Sequence, residues 1–149
     1  MKRHESLIPL SHDHHDGLLF CWNLRQGIKR AVDPARMVAY CHWFWAQHLQ
    51  EHFAEEENWL FIPNHPLCQL ALEQHAQIRS AIETLTHSPE QIVHLANLID
   101  QHIRMEERQL FPELEQQIPP QALAIIGDKL RQSHAATPTT CYADEFWKV

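Results

Sequence analysis

The stretch His52-Phe53-Ala54-Glu55-Glu56-Glu57-Asn58-Trp59-Leu60-Phe61 returns further along the chain as His102-Ile103-Arg104-Met105-Glu106-Glu107-Arg108-Gln109-Leu110-Phe111. Both copies read His-x3-Glu-Glu-x2-Leu-Phe, and a proline follows each, Pro63 and Pro112. On a helix, residues four apart lie on one face, so His52 stands beside Glu56 and His102 beside Glu106. An imidazole nitrogen and a carboxylate on adjacent turns can grip one metal ion. A single pair of this kind is ordinary, a solvated helix contact worth about 0.2–0.5 kcal/mol. Two copies, each set in an apolar stripe, predict a dinuclear site.

Working outward, the chain reads as helices separated by short breaks. Residues 1–10 form a lead-in whose Leu7, Ile8 and Leu10 pack across the end of a bundle. Ser11 is a good N-cap and Asp13 favours a first turn, so a first helix is expected from about His12. Its stripe runs through His14, Leu18, Cys21, Leu24 and Ile28. Asp33-Pro34 gives a stop and a restart. The second helix runs from Pro34 to about Phe61, with Met37, Cys41, Phe44, Trp45, His48, His52, Glu56 and Trp59 on one face. Pro63-Asn64-His65-Pro66 makes the next turn. A third helix runs to about Thr86 with Ala71, His75, Ile78, Ile82 and Leu85 inward. Ser88-Pro89-Glu90-Gln91 is a capping box that opens a fourth, whose stripe is Ile92, Leu95, Ile99, His102, Glu106, Gln109 and Glu113. A shorter fifth helix is expected from Pro119-Pro120 to near Gln132. Phe146 and Trp147 imply that the tail docks back.

Four long helices with short turns predict an all-α, up-down-up-down four-helix bundle. The chain is expected to be one domain over 1–149, its bundle core about 11–116, with the short helix and packed tail over 119–149. In antiparallel hairpins, residues equidistant from a turn share a height. The midpoint of positions 14 and 52 is Asp33, that of 52 and 75 falls between Pro63 and Asn64, and that of 75 and 102 between Ser88 and Pro89. All three are turns expected on other grounds. One histidine per helix therefore sits at one level of the core: His14, His52, His75 and His102. Buried ionisable groups cost several kcal/mol unless paired or coordinated, and metal binding resolves that cost.

This ordered set, a His on the first helix, His-x3-Glu on the second, a His on the third and His-x3-Glu on the fourth, resembles the hemerythrin-like proteins, the HHE cation-binding domains. The resemblance covers about residues 11–113. A ferritin-like set would instead use Glu-x-x-His. The resemblance implies that Glu56 and Glu106 bridge two iron ions, His14 and His52 binding one and His75 and His102 the other. Nitrogen and oxygen ligands without thiolate also suit manganese or zinc. The expected content is about two ions per chain, roughly 3.5–4 Å apart. A bridging oxo or hydroxo group would leave roughly two coordination positions open. Oxygen carriers of the family have a second histidine one turn along the third helix, where this chain has Arg79. His48, one turn before His52, is either the replacement ligand or a hydrogen-bonding neighbour, and His15 is the weaker alternative on the first helix. His4, His12, His42, His65, His87, His94 and His134 read as surface or end residues. Glu55, Glu57 and Glu107 either face solvent or orient the ligands. Phe44, Trp45 and Trp59 read as core that would keep the site dry.

Composition narrows the partners. A formal charge of −7 disfavours nucleic acid and anionic membranes. No apolar run nears the roughly 18 residues of a membrane span, and no signal-peptide hydrophobic region opens the chain. Cys21, Cys41, Cys68 and Cys141 lack a CxxC pattern, and three of them fall in expected helices as reduced core residues. A cytoplasmic protein is expected. Its leading reading is a di-iron protein that binds or senses dioxygen or nitric oxide, or handles iron. The alternatives are a di-iron enzyme (oxidase, peroxidase or iron-centre repair) and a metal-stabilised interaction module. The absence of a second constellation for an organic substrate tilts the reading away from an enzyme.

Overall fold

The computed structural model describes residues 2–149. It is all-helical: five helices pack against one another, and no strand occurs among the described residues. Helix α1 is Ile8–Lys29, entered through a 3-10 turn at Glu5–Leu7. Helix α2, residues 34–60, joins Pro34–Phe44, a π turn at Trp45–Leu49, Gln50–Glu55 and a second π turn at Glu56–Leu60. Helix α3 is Pro66–Glu83. Helix α4, residues 89–117, joins Pro89–Met105, a π turn at Glu106–Leu110 and Phe111–Gln117. Helix α5 is Pro120–Ala136.

The helix starts follow local chemistry. Asp33 caps α2 by accepting the Ala35 N–H at 3.0 Å, with Pro34 in the first turn. Ser88 caps α4 through the Gln91 N–H at 3.3 Å. The reciprocal bond is displaced: Gln91 Oε1 accepts the Thr86 N–H at 2.7 Å rather than that of Ser88. Two expectations need correction. Helix α1 begins at Ile8, not near His12, because His4 Nδ1 accepts the Ser6 N–H at 3.1 Å and Pro9 fits the first turn. Leu7 and Leu10 pack into the core as expected, from the entry turn and α1, whereas Ile8 is exposed. Helix α5 also continues to Ala136, beyond Gln132.

Two apolar clusters fill the interior. One gathers Phe20, Leu24, Met37, Phe53, Ile78, Ile82, Ile92, Ile99 and Phe146. The other gathers Leu7, Leu10, Leu60, Ala71, Leu110, Phe111, Leu114, Leu123 and Leu130. Between them along each of the first four helices lies a buried histidine: His14, His52, His75 and His102. Helices α1 and α4 approach closely at Gly17, where an added Cβ would lie 2.7 Å from Ile103 Cδ1. The tail docks as expected. Phe146 is buried and meets Tyr40 with ring centroids 5.3 Å apart, while Arg36 on α2 holds Asp144 in a two-pronged ion pair at 2.9 and 2.6 Å.

The π turns shift the stripes. Each adds a residue to a turn, so the side chains beyond it rotate relative to a regular helix. Leu60 is buried in place of Trp59, and Leu110 and Leu114 replace Gln109 and Glu113 on the inward face. Upstream on α2, Leu49 rather than His48 points into the core.

Candidate metal centre

Six ionisable side chains converge in the layer between the two apolar clusters, and all are buried: His14, His52, Glu56, His75, His102 and Glu106. Their donor atoms form two groups, His14-His52-Glu56-Glu106 and Glu56-His75-His102-Glu106, with ligand atoms within 4.8 Å of one another in each. Both carboxylates belong to both groups. His14 Nε2 lies 2.9 Å from Glu106 Oε1, and His75 Nε2 lies 3.1 Å from Glu56 Oε1. The motif pairs stay within reach, His52 Nε2 at 3.4 Å from Glu56 and His102 Nε2 at 3.2 Å from Glu106.

Each imidazole is also held from behind. The Nδ1–H of His14 donates to Glu107 at 2.7 Å, and that of His75 to Glu57 at 2.7 Å. The Nδ1–H of His52 donates to Asp13 at 2.9 Å, and that of His102 to the side-chain carbonyl of Gln74 at 2.6 Å. A carboxylate or amide oxygen accepts, so Nδ1 carries a proton and Nε2 faces inward. Such outer partners set the tautomer and orientation of metal-binding histidines. The backing glutamates are fixed in turn. Arg79 reaches Glu57 at 2.7 Å, while Ser11 donates to Glu107 at 2.9 Å and Arg3 donates to its backbone carbonyl at 2.8 Å. The π turns help to make this possible. Adjacent side chains on a regular helix diverge by about 100°, yet Glu56 and Glu57, like Glu106 and Glu107, must both engage the layer. In both copies the π turn begins at the first of the two glutamates, and Phe61 N–H donates to Glu56 O at 2.9 Å.

Do these residues fit a bound cation? His75 Nε2 and His102 Nε2 face each other at 3.1 Å, and both rings have committed Nδ1–H to an outward acceptor. Two ring nitrogens this close need a proton or a metal ion between them. His52 Nε2, Glu56 Oε2 and Glu106 Oε2 are buried and make no hydrogen bond, a costly state for polar atoms. The donor set of nitrogen and oxygen without thiolate suits iron, manganese or zinc. The residues fit. In the protein alone, protons stand in for a cation. Burial and the neighbouring Glu106 push Glu56 up to about 8. Burial opposes charge on His14, but hydrogen bonds to Glu106 and Glu107 outweigh it and raise the ring to about 9. Burial and then His102 push His75 down to about 2, leaving it neutral. Glu106, against its burial, is held well below the usual carboxylate range, chiefly by His102 and His14.

The six principal residues named from the sequence thus come together. His15 is exposed and lies outside both groups. His48 is half-buried and also lies outside them, its ring 5.0 Å from Phe44 and 5.3 Å from Trp43. The π turn at Trp45–Leu49 carries it off the line of His52. Two of the histidines read as surface or end residues stand at helix ends with partners of their own. His65 is buried, caps α3 by accepting the Leu67 N–H at 3.2 Å, and pairs with Glu113 at 2.6 Å. His134 is half-buried on α5, 3.3 Å from both Asp13 and Glu55. Asp13, Gln74 and Arg79 join the site as hydrogen-bond partners that the sequence reading does not place there. The adjacent pairs Asp13-His14 and Gln74-His75 were visible, but backing across helices carries no periodic signature.

A cavity of about 350 Å³ opens between α1, α2 and the end of α5, reaching His52 and walled in part by Tyr40, Trp43 and Phe44. A void of only about 10 Å³ borders His14, His52 and His102, its other walls being mainly Gly17, Leu49, Phe53, Ile99 and Ile103. No helix among the described residues is long and apolar enough to cross a membrane. No family model, curated protein or solved structure matches this chain.

Proposed function

We propose that the chain is a hemerythrin-like, non-haem di-iron protein that binds or senses a diatomic ligand, dioxygen or nitric oxide. The observation that carries the reading is the pair of donor groups sharing Glu56 and Glu106, with every imidazole oriented by a hydrogen bond from behind. His14 and His52 would hold one ion, His75 and His102 the other, and the two glutamates would bridge them. Two iron ions there would supply redox chemistry and open coordination positions. The protein's own part is to fix four Nε2 lone pairs and exclude bulk water between two apolar clusters. The void of about 10 Å³ among apolar side chains favours a ligand no larger than a diatomic molecule or a water.

The same reading takes the first four helices as an up-down-up-down bundle. Its support is the order in which they meet the clusters. Leu10 precedes Phe20 and Ala71 precedes Ile78, whereas Met37 precedes Leu60 and Ile92 precedes Leu110. Metal analysis with optical spectra of the reduced protein before and after oxygen tests the function. Two iron ions per chain and a spectral change on oxygenation are expected. Zinc alone, spectrally silent, would overturn it in favour of a metal-stabilised module.

A further inference from the structure

Outside the central layer, Asp13, Glu55 and His134 bring a second set of oxygen and nitrogen donors together at the wall of the cavity that reaches His52. His134 Nε2 lies 3.3 Å from Asp13 Oδ2 and 3.3 Å from Glu55 Oε1. With His52 as the imidazole, Asp13 and Glu55 belong to a group whose ligand atoms lie within 4.8 Å of one another. Glu55 is 5% exposed, and its Oε2 has no hydrogen-bond partner.

As a plain ion triad this arrangement is poor. Charge-assisted N–H···O bonds close to about 2.7–2.9 Å, and the carboxylates backing His14 and His75 do so, at 2.7 Å each. The contacts at His134 stop at 3.3 Å, and a buried carboxylate oxygen is left over. Two donors each about 2.0–2.2 Å from one ion lie roughly 3.0–3.4 Å apart, which is the spacing of His134 from each carboxylate. Asp16 and Glu51 add negative charge to the cavity wall, a field that concentrates cations.

We propose that Asp13, Glu55 and His134 form a third divalent-cation site, the last station on the route by which metal ions reach the centre. Two carboxylates and one imidazole, completed by water from the cavity, suit Mn2+, Fe2+, Co2+ or Zn2+. Binding displaces the proton that His134 holds between the two carboxylates, and the cavity gives that proton a path to solvent. The site is joined to the centre through Asp13, whose Oδ2 also accepts the His52 Nδ1–H at 2.9 Å. The route, though not the site, rests on the dinuclear reading of the centre.

Full-length protein stripped with a chelator and titrated with Mn2+ by equilibrium dialysis tests the site. Wild type should bind three ions at saturation, and Glu55→Gln and His134→Ala two. Glu55→Gln keeps the buried shape and His134→Ala lies on a half-exposed helix end, so either variant alone reads the result if the other fails to fold. Equal stoichiometry in wild type and both variants, whether two or three, would overturn the site. One ion in wild type and none in the variants would uphold it and refute the dinuclear centre instead. Stopped-flow uptake of Co2+ tests the route. Filling of the centre should slow at least fivefold in Glu55→Gln, with final occupancy of the centre unchanged. Unaltered uptake in a variant that has lost the third ion would overturn the route.

Discussion

The centre is built from two halves that copy each other, and their difference is informative. His14 and His75 are each backed by the second glutamate of a motif, Glu107 and Glu57. His52 and His102 are backed by the residues just before His14 and His75, Asp13 and Gln74. A motif phenylalanine flanks each half, Phe111 at 5.2 Å from His14 and Phe61 at 5.5 Å from His75. The departures begin with Phe53, stacked on His75 at 3.8 Å and itself under the Arg79 guanidinium at 5.7 Å. That half is closed by packing. The opposite half has a charged Asp13 where its counterpart has Gln74, and Asp13 lines the cavity. Asp13 stays ionised: burial opposes it, but His134 and His52 hold its carboxyl well below the usual range. One half is a wall and the other a port.

Removing a carboxylate shared by both donor groups should have the largest effect and should not respect the halves. Glu56→Ala and Glu106→Ala should each leave at most one ion of the expected pair, as read by metal analysis. Loss of metal from only one of the two variants would break the equivalence. The backing carboxylates come next. Glu57→Ala and Glu107→Ala should retain both ions at saturation yet bind them about 10–100-fold more weakly in competition with a chelator. Equal metal affinity in these variants and wild type would show that the hydrogen bonds behind His75 and His14 do not tune the site.

A smaller change is expected at the port. His48 lies outside both donor groups, so His48→Ala should keep full metal loading and alter only the rate at which the reduced protein reacts with oxygen. Stopped-flow mixing with oxygen should show irreversible oxidation of wild type, because Arg79 is tied to Glu57 and supplies no further nitrogen. A stable adduct that releases oxygen on degassing would sink this expectation.

The smallest effect lies on the α1–α4 seam, where Asp100 joins Arg25 at 2.8 Å and Arg104 at 2.5 Å. Burial would raise the Asp100 carboxyl, but the two arginines outweigh it and hold it below its ordinary value. A depressed carboxyl stabilises the fold above its unfolded pKa and loses that contribution as pH falls through the lower, folded value. Asp100→Asn should therefore cost about 0.5–1 kcal/mol at neutral pH. In thermal melts of wild type and variant, the gap should close on acidification below the ordinary aspartate range. A gap that persists there would assign the effect to packing.

The six ligand candidates were legible because a polar residue on an apolar stripe stands out, and because turn chemistry set the hairpin midpoints. What failed was phase. A stripe drawn at a constant 3.6 residues per turn continues straight past Glu56 and Glu106, and so selects Trp59, Gln109 and Glu113. The chain inserts π turns there and buries Leu60, Leu110 and Leu114 instead. The same cause placed His48 beside His52. The repeat did contain Glu57 and Glu107 at matching positions, a signal that left open whether they orient ligands or face solvent. His134 gave none, since its partners lie more than a hundred residues away or on another helix, at Asp13 and Glu55.

The paired π turns also make helix length a working dimension of the protein. Each is one residue longer than a regular turn needs, and that surplus falls immediately after a histidine-glutamate pair. Deleting one exposed residue, Asn58 or Gln109, would let the turn relax to ordinary α-helix while His52 and Glu56, or His102 and Glu106, kept their register. Everything downstream would then swing by about 100°, drawing Phe61 away from His75 or Phe111 away from His14. A shortened chain of this kind would keep its histidine–glutamate pairs and lose the frame that aims them.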